Sequence, residues 1–433
     1  MKNMKRSITM LVVLLAALAT VFAGGAAEEP AAQEGPVSIE IWSALKGGKA
    51  KTLDAQVAEF NASQDEVIVT VVSQGGQSIL RQKIAASAQA HNMPAMITCD
   101  YLDVAYYAQL GILQPVTEAL SEEVIADYYP AMLADLYYDG ELYAIPYNRS
   151  TQGFFVNNDL LREAGIDHAA QNWDEFRAHS EKMRELGSEY YYGYAFFHQF
   201  LFDAIAYTCG ADISTPDGEV RLNSPEMVEM MTYFQKMYQD GLLLMQPVLV
   251  GGFEEQNGAF LDGKVATVFQ TSSFMPTAEA MLKYDWSFEF VPAGKGGNAV
   301  TIGGNNFAIT TQASEAQVEA ANKFLQFMAS TDLAVDFFLN TGNLPTRMST
   351  MDDPKMQQFL AENPNYAKVV EQLQYGKAAP STTKNIRDVF NRVNDMISRI
   401  ILSGEDVKTV LDAYTAEFQA EFDELKANEE FIY

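Results

Sequence analysis

The chain has 433 residues, 48% of them hydrophobic, and a formal net charge of −28. That length exceeds one typical core, so two domains are expected, and the apolar fraction is globular rather than disordered. The acid excess excludes binding to nucleic acid and docking on an anionic membrane through a basic patch, since both need a basic face; solubility is its expected use.

Lys2, Lys5 and Arg6 precede an apolar run from Ile8 to Ala19, and Val21-Phe22-Ala23 offers small residues at a cleavage site. Residues 1–23 read as an export signal, with a run too short for a membrane span. No cysteine follows the run, so no lipid-attachment box is present. An exported, soluble, periplasmic protein is expected. Residues 24–36, rich in Ala, Gly, Glu and Pro, read as a flexible leader. Only Cys99 and Cys209 occur. One disulfide is possible in an oxidising compartment, but a chain this long does not need it, and free, partly buried thiols are expected.

The first strand spans Val37 to Trp42, with Val37, Ile39 and Ile41 on one face. Leu53, Val57 and Phe60 repeat at helical spacing. Val67 to Val72 is a β-branched strand, and Gln74 to Gln77 a turn. A helix follows from Ile79 to Ala90, then a short strand from Ala95 to Thr98 and the segment Cys99-Asp100-Tyr101. This β-α-β-α-β order predicts a parallel sheet with helices on its faces. Ligands bind such sheets outside the carboxyl ends of the strands, here Trp42-Ser43, Gln74 to Gln77 and Cys99 to Tyr101.

The stretch Ile145-Pro146-Tyr147-Asn148-Arg149-Ser150-Thr151 reads as a polar break, opening into an apolar strand at Gly153 to Val156. Such a break can join one sheet to another and place polar groups in the gap. Short helices follow at Asp159–Ala164 and Trp173–Leu186, each closed by a glycine. Ser224-Pro225 starts a helix to Gln239, and Phe253 to Leu261 reads as another. Val265 to Phe269 is a strand, ending in a second polar break at Gln270 to Ser273. Phe288 to Val291 and Thr301 to Ile309 are apolar again, separated by a hairpin loop at Gly294 to Gly297. Ser314 with Gln317 forms a capping box, and Thr331-Asp332 caps the next helix, which stops before Thr341-Gly342-Asn343-Leu344-Pro345. The remainder, from Asp353, is mainly helical.

Known catalytic patterns are absent. None of the four histidines lies three or four residues from another, so no helical zinc pair exists. Neither a G-x-S-x-G elbow nor a phosphate loop occurs. No cofactor, no metal and no enzyme activity are expected, although a glycosidase pair cannot be dismissed by counting carboxylates.

Pro146 to Thr151, followed by Phe154-Phe155-Val156-Asn157-Asn158-Asp159, resembles the first crossover of extracellular solute-binding proteins of ABC importers. The likeness is to the sugar and glycerol-3-phosphate group. Asn172-Trp173-Asp174-Glu175-Phe176, Phe260 to Ala266, Ile302-Gly303-Gly304 and Thr341 to Pro345 are similar to further motifs of that family, in order along the chain. The resemblance implies a two-lobed periplasmic-binding-protein fold: α/β, with two parallel-type sheets, flanking helices and a hinge. It implies one lobe from residues 37–148 and 276–330 and another from 151–272 and 332–433. The expected partners are a small-molecule solute and the membrane subunits of an ABC permease, with no nucleic acid and a monomeric state.

The same likeness implies ligand contacts at Ser150, Thr271, Ser272 and Gly304. Gly76 and Asn343 stand where the glycerol-3-phosphate subgroup carries tyrosines, and Asn391 falls near its phosphate-binding arginine, with Arg387 and Arg392 within a turn. Asparagine both donates and accepts, which suits hydroxyl recognition. A neutral carbohydrate is therefore expected over glycerol-3-phosphate or a related phosphodiester, and Arg149 and Arg387 keep that alternative open. Trp42 is expected to offer a flat ring to a sugar face, with Asp100, Tyr101 and Asn305 beside it; Trp286 is expected to be structural. A secreted carbohydrate-active enzyme is the rival class.

Overall fold

The computed structural model describes residues 35–194, 199–215, 218–245, 252–377 and 386–427. The export signal and nearly all of the leader lie outside the described residues. The elements that position the site are, in chain order, β1 (Val37–Ser43), α1 (Gly47–Ser63), β2 (Val67–Ser73), α2 (Gln77–Ala90), β3 (Met96–Asp100), β4 (Ile145–Asn157), β5 (Tyr191–Tyr194), α3 (Gln199–Cys209), β6 (Leu243–Leu244), β7 (Val265–Thr271), β8 (Trp286–Glu289), β9 (Val300–Thr310), α4 (Glu315–Met328) and α5 (Thr331–Thr341).

The strands form a curled path in the order β2-β1-β3-β9-β4-β7-β5-β6, with β8 also on β4. β1 runs parallel to β2 and β3, and β5 runs parallel to β7 and β6. Between these parallel groups stand two long antiparallel strands, β9 and β4. The expected α/β class with two parallel-type groups is therefore present.

Each parallel group has its own core. The first gathers Ile41, Leu53, Leu80, Ile97, Phe307 and Phe324; the second gathers Phe154, Phe155, Phe176, Tyr192, Phe269 and Phe288. Both long strands serve both cores. β4 gives Ile145 and Tyr147 to the first and Phe154 to Val156 to the second; β9 gives Val300 and Ile302 to the second and Phe307 to Ile309 to the first. The chain thus crosses between lobes at residues 148–152 and 303–306.

The structure corrects the sequence reading in three places. The polar stretch at Asn148 to Thr151 is no break: β4 is one continuous strand of 13 residues. Its polar residues stay in the sheet because β9 pairs with them directly, Asn148 opposite Asn305 and Ser150 opposite Gly303. Pro146, which lacks an N–H, sits at the register shift of that pairing.

The second polar break is not the return crossing. Thr271 caps a 3₁₀ turn, Ser272–Phe274, and the chain continues as a short helix whose Met275 and Ala278 pack in the second core. β8 then pairs antiparallel with β4. Residues 276–299, expected in the first lobe, therefore pack with the second. Nor does the later boundary fall cleanly at residue 331, because α5 straddles both cores, with Leu333 and Phe337 in the first and Val335 and Phe338 in the second. Its cap is Ser330, whose hydroxyl accepts from the Leu333 N–H, rather than Thr331-Asp332.

The Ser314–Gln317 capping box is formed. Cys99 and Cys209 are both free thiols.

Candidate functional site

The crossing of β4 and β9 positions the site. Residues directly opposite in an antiparallel pair project to the same face. Asn305 lies opposite Asn148 on β4 and opposite Asp100 on β3. Asp100, Asn305 and Asn148 therefore form one row across three strands. The next row along that face is Gly303 with Ser150.

The strands approach closely here because of Gly304. Its φ is +126°, and an added Cβ would collide with the Asn148 carbonyl oxygen and stand 3.0 Å from Arg149 Cα. Gly304 also accepts the Tyr101 N–H at 2.9 Å. A Cβ on Gly303 would meet Phe200 at 2.8 Å and Tyr101 at 3.1 Å. An aromatic from the end of β3 and one from the start of α3 thus close over this row.

Arg149 has no exposed surface. Its Nη1 donates to Asn306 Oδ1 at 2.9 Å and its Nη2 to the Ile302 carbonyl at 3.1 Å. Asp135 lies 3.9 Å away, and the guanidinium stands 5.4 Å from the Tyr101 ring centre. Burial lowers the arginine's pKa, opposed by Asp135, Tyr101 and Asp100. Its partner Asn306 also donates to the Cys99 carbonyl at 3.1 Å, tying β3 to β4 through β9. Arg149 thus acts as an interior clamp on the crossing.

Asp100 and Asp103 share Arg81, at 3.3 and 2.5 Å. Burial raises the Asp100 carboxyl, and burial together with the neighbouring Asp100 charge pushes Asp103 up to about 7. The Tyr101 phenol is held far above its ordinary range by burial and then by Asp100, Asp203 and Asp135. Asp203, wholly buried on α3, brings second-lobe charge to a first-lobe tyrosine.

The structure brings Asp100, Tyr101, Ser150, Gly304 and Asn305 together. Other expected contacts serve the fold. Ser272 is buried, and its Oγ accepts the Thr151 N–H at 3.2 Å. Thr271 accepts the Ser273 N–H as a cap. Asn343 is buried in the turn after α5, donating to the Thr341 carbonyl at 3.3 Å, while the adjacent Leu344 N–H bonds the Arg149 carbonyl at 2.7 Å. Gly76, at φ +130°, starts α2 with the Lys46 ammonium 2.8 Å from where its Cβ would be.

Trp42 does not join the row. It stands opposite Ile97, on the sheet face away from Asp100, and its indole N–H donates to Glu40 two residues back. The side chains of Asn391 and Arg387 lie outside the described residues. Arg392 is held by Glu417, at 2.8 Å, and by Glu421. Trp286 stacks on Phe155 with ring centres 5.8 Å apart.

Residues not singled out from sequence also build the crossing. Gln152 accepts the Thr301 N–H at 3.0 Å and donates to the Phe200 carbonyl at 2.7 Å, fastening α3 to both long strands. Gln372 donates to the Gln152 carbonyl at 2.8 Å. The only sequence signal of Gln152 is a glutamine inside an apolar, strand-length context, and Gln372, at the end of a helix, has none.

The bacterial extracellular solute-binding protein family matches residues 55–385, which is most of the chain. The chain belongs to that family. This solute-binding protein is 27% identical over 317 residues to a Brucella abortus (strain 2308) protein described only as a binding protein, covering 71% of this chain and 74% of that one. It is 23% identical over 372 residues to the sn-glycerol-3-phosphate-binding periplasmic protein UgpB of Salmonella typhimurium, covering 81% and 83%. Among solved structures, a cyclic alpha-maltosyl-1,6-maltose binding protein from Arthrobacter globiformis superposes with a TM-score of 0.80 at 23% identity, covering 89% of this chain and 99% of that one. UgpB from Mycobacterium tuberculosis, in complex with glycerophosphocholine, superposes at 0.79 and 22% identity, covering 90% and 99%. These likenesses carry the two-lobed fold to the solute-binding protein described above. Among its described residues, no helix is long and apolar enough to cross a membrane.

Proposed function

We propose that this protein captures a carbohydrate at the interlobe crossing and delivers it to the membrane subunits of an ABC permease. The observation that carries the sugar reading is the row Asp100–Asn305–Asn148 beside Ser150 and Tyr101. Amides, a hydroxyl and an aromatic next to a strand crossing suit polyhydroxylated ligands. The nearby guanidinium groups already have partners: Arg149 with Asn306 and Asp135, and Arg81 with Asp100 and Asp103. A phosphate would have to displace them.

The protein is read as an exported, periplasmic monomer that binds without turning its ligand over. Glycerol-3-phosphate is the second reading, favoured by the likeness to the UgpB proteins. Calorimetry against mono- and oligosaccharides and against glycerol-3-phosphate, with product analysis after long incubation, tests all of this. Saturable sugar binding without turnover is expected. Binding of glycerol-3-phosphate alone would replace the sugar reading, and turnover would overturn the receptor reading.

A further inference from the structure

Asn148 lies under the crossing, 5% exposed, and its amide oxygen is buried without a hydrogen-bond donor. The same holds for the amide oxygen of Asn305. These residues are direct partners across β4 and β9, so both side chains rise from one face, with Cβ atoms about 4.5–5.5 Å apart by the geometry of such pairs. A buried acceptor with no donor is costly, and two side by side in one row mark a place where donors are to be supplied.

The surroundings narrow the donor. Asp100 ends the row and is held by Arg81 and by the Leu102 N–H at 3.2 Å, so it does not compete for the asparagines. Tyr101 and Phe200 close the adjacent row over Gly303. A group that donates twice, in parallel, and packs beside aromatic rings fits this row. Phosphate and carboxylate oxygens only accept, and a quaternary ammonium has no N–H to give. Two hydroxyls on neighbouring carbons meet the requirement, since they lie closer together than the two amides and can each reach outward; a glycerol unit also carries such a pair, and the aromatic rings alongside favour the pair of a sugar ring.

We propose that Asn148 and Asn305 form a diol subsite in which their paired amide oxygens accept from two adjacent ring hydroxyls. The proposal rests on the carbohydrate reading and adds to it a specificity determinant, Asn148, and a ligand feature, the vicinal diol. A site built to bond a hydroxyl rejects the analogue that lacks it far more strongly than a hydrophobic pocket would.

The test is a cycle between protein and ligand. The tightest-binding monosaccharide unit of the calorimetric panel is taken as the probe, with its set of singly deoxygenated analogues. For wild type, deleting either of two adjacent hydroxyls is expected to weaken binding about tenfold to a hundredfold. In Asn148→Leu one of those deletions should become silent, while Asn148→Asp, which keeps an acceptor, should preserve the penalty. Thermal unfolding of each variant separates a folding defect from lost recognition; should Asn148→Leu not fold, Asn305→Ala is read in the same way. The proposal falls if sugar affinity and the deoxy penalties are unchanged in the folded variant, and equally if the penalties belong to non-adjacent hydroxyls. Absence of sugar binding by the wild type would overturn the carbohydrate reading itself, which keeps the two failures apart.

Discussion

At the scale of single residues, the crossing turns on Gly304. Its backbone occupies a region that costs other residues about 1–3 kcal/mol, and its missing side chain lets the Asn148 carbonyl approach. Gly304→Ala adds a collision with main chain, which cannot rotate away. The expected result is a loss of more than about 3 kcal/mol in urea unfolding, at the upper end of ordinary single substitutions. Gly47→Ala is the control: its φ is +59° with nothing within 4 Å of the added Cβ, so only the left-handed cost of about 1–2 kcal/mol is expected. Equal losses at the two positions would show that the close approach is unimportant. Residue type alone did not separate ligand-facing groups from braces. Ser150 and Ser272 are both serines in polar stretches next to apolar strand segments, yet one stands in the candidate row and the other holds the Thr151 N–H. The difference lies in which strand each hydroxyl meets, a contact between residues more than a hundred positions apart in sequence. Trp42 stands off the row for a related reason: its period-2 face depends on the register with β3, which no local pattern specifies.

At the scale of elements, most helices and parallel strands were legible, because caps and periodicity are local. The Ser314 box, the Ser224 cap and the β-branched run of β2 are all formed as read. The long strands were not legible. β4 looks interrupted because its middle is polar, but its backbone there is paired by β9, by Ser272 and by Gln372. This makes Ser272 an element-level brace. In Ser272→Ala the Thr151 N–H stays buried without its acceptor, and a loss of about 1–3 kcal/mol in stability is expected with sugar affinity retained. Paired denaturation and calorimetry check this; weakened affinity at unchanged stability would instead return Ser272 to the ligand.

At the scale of the whole molecule, several elements serve both cores, among them the short helix Pro130–Leu133, with Met132 in the second and Leu133 in the first. β4, β9 and α5 each bury side chains in both. Gln56 adds a polar tie, accepting from the Tyr147 hydroxyl at 2.8 Å and donating to the Leu333 carbonyl at 3.0 Å, which joins α1, β4 and α5. Losing one core strips partners from the other, so the lobes are expected to unfold together. Scanning calorimetry should give one transition with calorimetric and van't Hoff enthalpies in agreement. Two resolved transitions would show that the shared strands do not couple the lobes. The two-lobed plan itself was legible through the motif likeness, but the assignment of residues 276–299 was not, since a polar segment after a strand can cap a turn as readily as leave a domain.

The late position of β9 also bears on how the chain is made. β3 needs Asn305 to Ile309 as its neighbour, and α4 and the Leu333 end of α5 cover the same core. A growing chain holding only the first 300 residues has β1, β2 and β3 but not the strand that closes them, so its first lobe stays incomplete through most of synthesis. Contacts this distant in sequence form slowly. The second core also takes Val300, Ile302 and residues of the C-terminal helices, so neither half can close until late in synthesis.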